Sequence, residues 1–251
     1  MKGCSPLDRS LQSISLSFIR CNSRTSSKRW LDRQMNDKFT KDSKTSNYRS
    51  RAAFKLIEID KKFHIFNKKT LNIVDLGFAP GAWTQVALER STAVGIKPNV
   101  IGIDLINCNP PEGSHFVQGD VFQNDTQQII RDYFEKLQSK TFTTNTTTPA
   151  GNENVDMQLP VDLILSDMMA NTSGIKDSDH FASMDLCNEA LRLSTKLLRP
   201  KGNIVMKFYT GKEENMLKND IQTFFTKVYR FKPASCRRES KEMYFIGMNK
   251  K

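Results

Sequence analysis

The sequence predicts an α/β protein built on a doubly wound, mostly parallel sheet. Three observations carry that prediction. Short apolar runs alternate with amphipathic helical stretches along most of the chain. Three of the early runs end on, or just past, an aspartate, where open α/β sheets bind ligands. The last two runs follow one another with no helix between them, so that pair must be antiparallel.

Each element has its own warrant. Residues 48–66, YRSRAAFKLIEIDKKFHIF, read as a helix in which Ala52, Leu56, Ile59 and Phe63 form one stripe, with Arg51, Lys55, Glu58 and Lys62 opposite. NIVDLG (72–77) is a strand, followed by a helix from about Ala82. NVIGID (99–104) and SHFVQGD (114–120) are strands, and a helix covers 123–138. VDLILSD (161–167) is a strand, and the long helix after it is stopped by Pro200. NIVMKFY (203–209) is a strand and a helix starts at Glu213. VYRFKPA and EMYFIGM close the chain, joined by a short turn. This is the pattern of the Rossmann-like seven-stranded methyltransferase fold, mostly parallel with a C-terminal antiparallel strand.

Two segments stand apart. Residues 1–30 are basic and serine-rich with a single acid, Asp8, and Leu11, Ile14, Leu16, Phe18 and Ile19 fit one face of a short amphipathic helix. That is the composition of a mitochondrial presequence, or of a disordered basic tail. Fold reasoning starts at residue 31 and runs to 251. Residues 139–160 are polar and Thr/Asn-rich with no apolar period, and read as a disordered surface insertion.

The net charge of +11, from 38 Lys+Arg against 27 Asp+Glu, favours a polyanionic partner, most simply nucleic acid. No apolar run reaches the roughly 20 residues of a membrane helix. The five cysteines include no CxxC pair, so neither a zinc site nor a disulfide framework is expected.

The loop DLGFAPGAW (75–83) joins the first strand to a helix. It lacks the GK[ST] of a P-loop, and Gly77 and Gly81 are spaced GxxxG, not GxGxxG. Asp75, Asp104 and Asp120 close three neighbouring strands and would repel a pyrophosphate. They would welcome a ligand with a ribose, an adenine and a cationic centre, which is S-adenosylmethionine. Asp104 is placed to accept from both ribose hydroxyls and Asp120 from the adenine amine. Taken singly, each acid reads as a turn residue or helix cap.

Amino-group methyltransferases carry [ND]PP[YF] after strand four. Here strand four ends SDMMAN, and the NPPEG at 109–113 follows strand two. Lys207 instead lies inside an apolar strand, which is costly unless it is paired or neutral. Asp167 ends the neighbouring strand, and Glu242 begins the last strand, at the same sheet edge. Two nearby lysines, Lys207 and Lys55, would depress each other's proton affinity, leaving Lys207 able to take a proton from a hydroxyl. Lys55 alone reads as a solvated helix residue.

From about residue 48 onward the chain resembles the FtsJ/RrmJ ribosomal RNA ribose 2′-O-methyltransferases. The matching motifs are SRAAFKL (50–56), DLGFAPGAWTQ (75–85), SDMMANTSG (166–174), VMKFYTG (205–211) and SKEMYFIG (240–247). The resemblance implies a catalytic tetrad of Lys55, Asp167, Lys207 and Glu242. It implies an S-adenosylmethionine site on Asp75, Gly77, Pro80, Gly81, Trp83, Asp104, Asp120 and Asp167, and no metal. RWLDRQMNDKFTKDSK (29–44) and NPPEG are similar to fungal mitochondrial members, which implies a matrix enzyme acting on a uridine in the peptidyl-transferase region of large-subunit rRNA, as a monomer on assembling ribosomal particles. Met169-Ala170-Asn171 departs from the proline of bacterial relatives. Transfer RNA as substrate, or a non-catalytic RNA-binding assembly factor, are the alternatives.

Overall fold

The computed structural model describes residues 37–142 and 160–251; the presequence reading of 1–30 and most of the polar insertion lie outside them. Residues Lys38–Lys251 form one compact unit. Its elements are α1 (Lys38–Thr45), α2 (Ala52–Phe63), β1 (Asn72–Leu76), α3 (Ala82–Ala93), β2 (Asn99–Asp104), β3 (Ser114–Gln118) and α4 (Asn124–Phe142). Then come β4 (Val161–Ser166), α5 (Lys176–Leu197), β5 (Leu198–Tyr209), α6 (Glu214–Phe224), β6 (Phe225–Phe231) and β7 (Glu242–Lys250).

The seven strands form one sheet in the order β3-β2-β1-β4-β5-β7-β6. β3, β2, β1, β4 and β5 pair parallel, and β7 runs antiparallel to both its neighbours. The antiparallel relation of β6 and β7 follows the sequence reading, but ten residues, Lys232–Lys241, join them instead of a short turn.

Period-two alternation sends successive strand residues to opposite faces. Ile73, Val100, Leu163, Leu165 and Val205 pack with Leu56 and Ile59 of α2 and Val86 of α3. Val74, Ile101, Ile164, Ile204 and Met206 pack with α4, α5 and α6 through Phe134, Leu193 and Ile221. Helices on both faces leave the central strands buried, as a parallel sheet requires.

Several features differ from the sequence reading. α1, KFTKDSKT, has no apolar stripe to announce it. The stripe on α2 is Ala53, Leu56 and Ile59; Ala52 and Phe63 are only half-buried. α4 continues to Phe142, so the first residues of the polar insertion are helical. β5 starts at Leu198, before Pro200, because Val161 already pairs with Leu198; the chain then loops out, with Lys201 at φ 65°, and re-enters register at Asn203.

The far end of the sheet is tied by charge. Lys250 Nζ donates to the carbonyls of Ser194, Thr195 and Leu198 at 2.9, 2.9 and 2.6 Å, satisfying acceptors that α5 leaves open at its C-terminus.

Candidate active site

The β4–β5–β7 register sets the site. Ser166 pairs with Met206, so Asp167 follows β4 at the level of Lys207. Lys207 pairs with Tyr244, and Tyr209 with Glu242. Lys207 and Tyr244 point to the α2 face, where Lys55 approaches one turn into its helix.

The side chains form a chain with a lysine at each end and two carboxylates, linked by a phenol, between them. Lys55 Nζ lies 2.6 Å from Glu242 Oε1. The Tyr244 hydroxyl is 2.7 Å from the same oxygen and 3.0 Å from Asp167 Oδ1. Lys207 Nζ lies 3.0 Å from Asp167 Oδ1 and also donates to the Asp167 carbonyl. All four ionic side chains are largely buried, Lys207 most of all with 6% of its side chain exposed. The four residues implied as a tetrad therefore meet, and Lys55 is paired and not solvated.

This geometry corrects one expectation. The lysines do not face each other; carboxylates lie between them. Burial works against the Lys55 ammonium, but Asp167 and then Glu242 outweigh it and hold its pKa above the ordinary value. Burial likewise opposes the Glu242 charge, yet Lys55 wins and pulls the carboxyl down to about 2. Lys55 is a fixed cation.

Sequence reading missed Tyr244, which bridges the two carboxylates, and Cys236, whose Sγ lies 3.3 Å from Glu242 Oε1. Burial, then Glu242, pushes that thiol up to about 12. A signal for Tyr244 existed: two residues after Glu242 on a strand, it must share its face.

Beside the tetrad lies a cleft of about 390 Å³, within the usual range for small-molecule sites. Gly77, Asp104, Asp120, Asp167 and Lys207 line it, with Ile103, Leu105, Val121, Phe122 and Met168 as apolar walls. Gly77 has φ 76°, and a Cβ there would stand 2.8 Å from the Met168 backbone, so glycine is needed for the cleft floor to close against the β4 loop. Asp104 Oδ2 accepts from Ala79 N at 2.8 Å and Oδ1 from Ile106 N at 2.9 Å; each oxygen keeps capacity for a further donor. Asp120 Oδ1 accepts from Phe122 N at 3.0 Å. Three carboxylates on apolar walls fit a ligand that carries a cation, a diol and a flat aromatic group.

The structure does not bring Asp75, Pro80, Gly81 or Trp83 into that lining. Asp75 is fully buried beneath it, one oxygen bonded to Thr84 Oγ1 at 2.7 Å and the other, Oδ1, without a partner. Burial, augmented by Asp167 and Asp104 against the Thr84 bond, raises its pKa to about 7. Trp83 packs its ring on Tyr244, centroids 5.8 Å apart, and donates its indole N–H to Ala52 O. It braces the site from behind. Pro80 follows a cis peptide bond, and its carbonyl and that of Asn109 both accept from the Arg49 guanidinium, tying the loop to the chain before α2.

Comparisons with known proteins identify the family. Residues 48–250 match the family model described as FtsJ-like methyltransferase. The chain is 38% identical to the Saccharomyces cerevisiae protein named rRNA methyltransferase 2, mitochondrial, covering 97% of this chain and 94% of that one. It is 37% identical to ribosomal RNA large subunit methyltransferase E of Rickettsia bellii, covering 90% of each. A solved Plasmodium falciparum structure described as a ribosomal RNA methyltransferase superposes with a TM-score of 0.62 at 31% identity, over 81% of this chain and 98% of that one.

Proposed function

Because the chain belongs to the FtsJ-like methyltransferase family, we propose that it methylates a ribose 2′-hydroxyl of mitochondrial large-subunit ribosomal RNA. When bound, S-adenosylmethionine supplies an electrophilic methyl group on a sulfonium centre. The observation that carries the reading is the buried chain Lys55–Glu242–Tyr244–Asp167–Lys207 at the rim of an acid-lined cleft.

The protein's residues divide the work. Asp104 and Asp120 hold the ribose and base of the donor, and Asp167 faces its cationic end. Lys207 must first release its own proton to solvent; as the neutral amine it takes the proton leaving the 2′-hydroxyl, and the Asp167 carboxylate and carbonyl receive the ammonium hydrogens that result. Glu242, fixed by Lys55 and Tyr244, holds the far end of the chain. Lys55, a permanent cation, attracts the RNA backbone. Positioning supplies much of the rate, since the methyl donor is already activated.

The finer reading is a uridine in the peptidyl-transferase region, modified by a monomer on assembling particles in the matrix, with residues 1–30 as presequence and 31–251 as the methyltransferase domain. The net charge of +11 and the word mitochondrial in the yeast relative's name support it. The test is transfer from labelled S-adenosylmethionine to organellar large-subunit RNA and ribosomal particles, followed by nuclease mapping. Label on a uridine 2′-oxygen supports the reading. Label on transfer RNA alone moves the substrate, and cofactor binding without transfer to any RNA leaves a non-catalytic assembly factor.

A further inference from the structure

We propose that Lys62, Phe63, Tyr229 and Phe231 form a stacking platform for a base of single-stranded RNA flanking the target nucleotide; this rests on the RNA reading above. β6 is the outermost strand of the sheet, and alternation turns Lys227, Tyr229 and Phe231 toward the α2 side. There Phe63, at the end of α2, meets Tyr229 with ring centroids 5.1 Å apart and Phe231 edge-on at 5.6 Å. Tyr229 remains 39% exposed. Lys62 Nζ sits 4.4 Å from the centre of the Phe231 ring and 5.5 Å from that of Phe63.

The charge on this strip is not cancelled. Glu58 is four residues before Lys62, the usual spacing for a helical ion pair. Its carboxylate is instead turned to the backbone amides of Ala234 and Ser235. Of the ion pairs among the described residues, none includes Lys62 or Lys227. Protein interfaces are depleted in lysine. An exposed tyrosine ring backed by two half-buried phenylalanines and flanked by ammonium groups suits a polyanion whose bases have π-faces.

The position also fits. Phe231 is registered against Tyr244, which is registered against Lys207. Two strand spacings put the Phe231 backbone about 10 Å from that of Lys207. Phe63 lies eight residues beyond Lys55 on one helix, about 12 Å along its axis.

The test is fluorescence anisotropy of the full chain with a fluorescein-labelled oligouridylate. Tyr229→Ala is expected to weaken binding about fivefold or more, and Tyr229→Phe to restore it. Lys62→Gln should lower the slope of log affinity against log salt by about 0.7. S-adenosylhomocysteine affinity by calorimetry should stay unchanged in all three, which shows that the fold is intact. As an independent measurement, 4-thiouridine RNA should photo-crosslink to the peptide holding residues 227–232. An unchanged RNA affinity in Tyr229→Ala, a loss that phenylalanine does not restore, or crosslinks confined to other peptides would each overturn the platform while leaving the RNA reading standing. No binding of RNA by the unsubstituted protein would overturn both.

Discussion

Tyr244 places one hydroxyl between two carboxylates, 2.7 Å from Glu242 and 3.0 Å from Asp167. A phenol has one proton, so it serves one acid at a time and links the two ion pairs. Both acids keep a lysine, so removal of the hydroxyl should cost a single hydrogen bond. Tyr244→Phe preserves the ring against Trp83. Its kcat is expected to fall about three- to tenfold (roughly 1 kcal/mol), with S-adenosylhomocysteine affinity unchanged. Steady-state kinetics beside calorimetry check this.

Lys207→Ala should abolish methyl transfer, because among the described residues only Lys207 forms an ion pair with Asp167. The cleft is lined mainly by other groups, so cofactor binding should persist. Retained turnover would sink the assignment of Lys207 as proton acceptor.

The Lys55–Glu242 pair makes a stability prediction. Glu242→Gln leaves a buried ammonium without its nearest countercharge, and about 3 kcal/mol should be lost in urea denaturation. Lys55→Met together with Glu242→Gln should recover much of that, since no lone charge remains. The pH sign is fixed by the lowered carboxyl of Glu242, near 2 in the fold. Its contribution is present above the unfolded value and disappears as pH falls through 2.

Asp75 has the opposite sign. Its folded pKa, near 7, is above that of the unfolded chain, so the native state holds the proton longer. Its favourable contribution is complete below the unfolded value and is lost as pH rises through 7. Asp75→Asn should therefore gain on the unsubstituted protein between pH 5 and pH 8, by about 2–3 kcal/mol. Denaturation curves at the two pH values would show a constant difference if Asp75 were ionised throughout.

Much of the architecture was legible because burial and periodicity coincide: a lysine in NIVMKFY and acids at strand ends can only meet at one sheet edge. What was not legible depended on contacts between elements. Lys55 alone reads as solvent-facing, and only the docking of α2 over β7 gives it a partner. Trp83 sits in the ligand loop's own motif, yet its ring turns away to Tyr244, which no local pattern encodes. Glu58 reads as part of a solvated face and in fact holds the loop that carries Cys236.

The placement of β7 between β5 and β6 has a consequence for how the chain is made. Both flanking strands leave the ribosome before it, and β6, which pairs with β7 alone, has no place in the sheet until β7 arrives, so the edge of β5 stands open. Glu242 and Tyr244 are on that strand. Synthesis proceeds at about 5–20 residues per second, so until β7 emerges the nascent chain has the residues of its methyl-donor cleft but half of its ionic chain. Chaperones that shield unpaired strand edges would meet this protein at the β5 edge, and the ionic chain is complete only when β7 covers it.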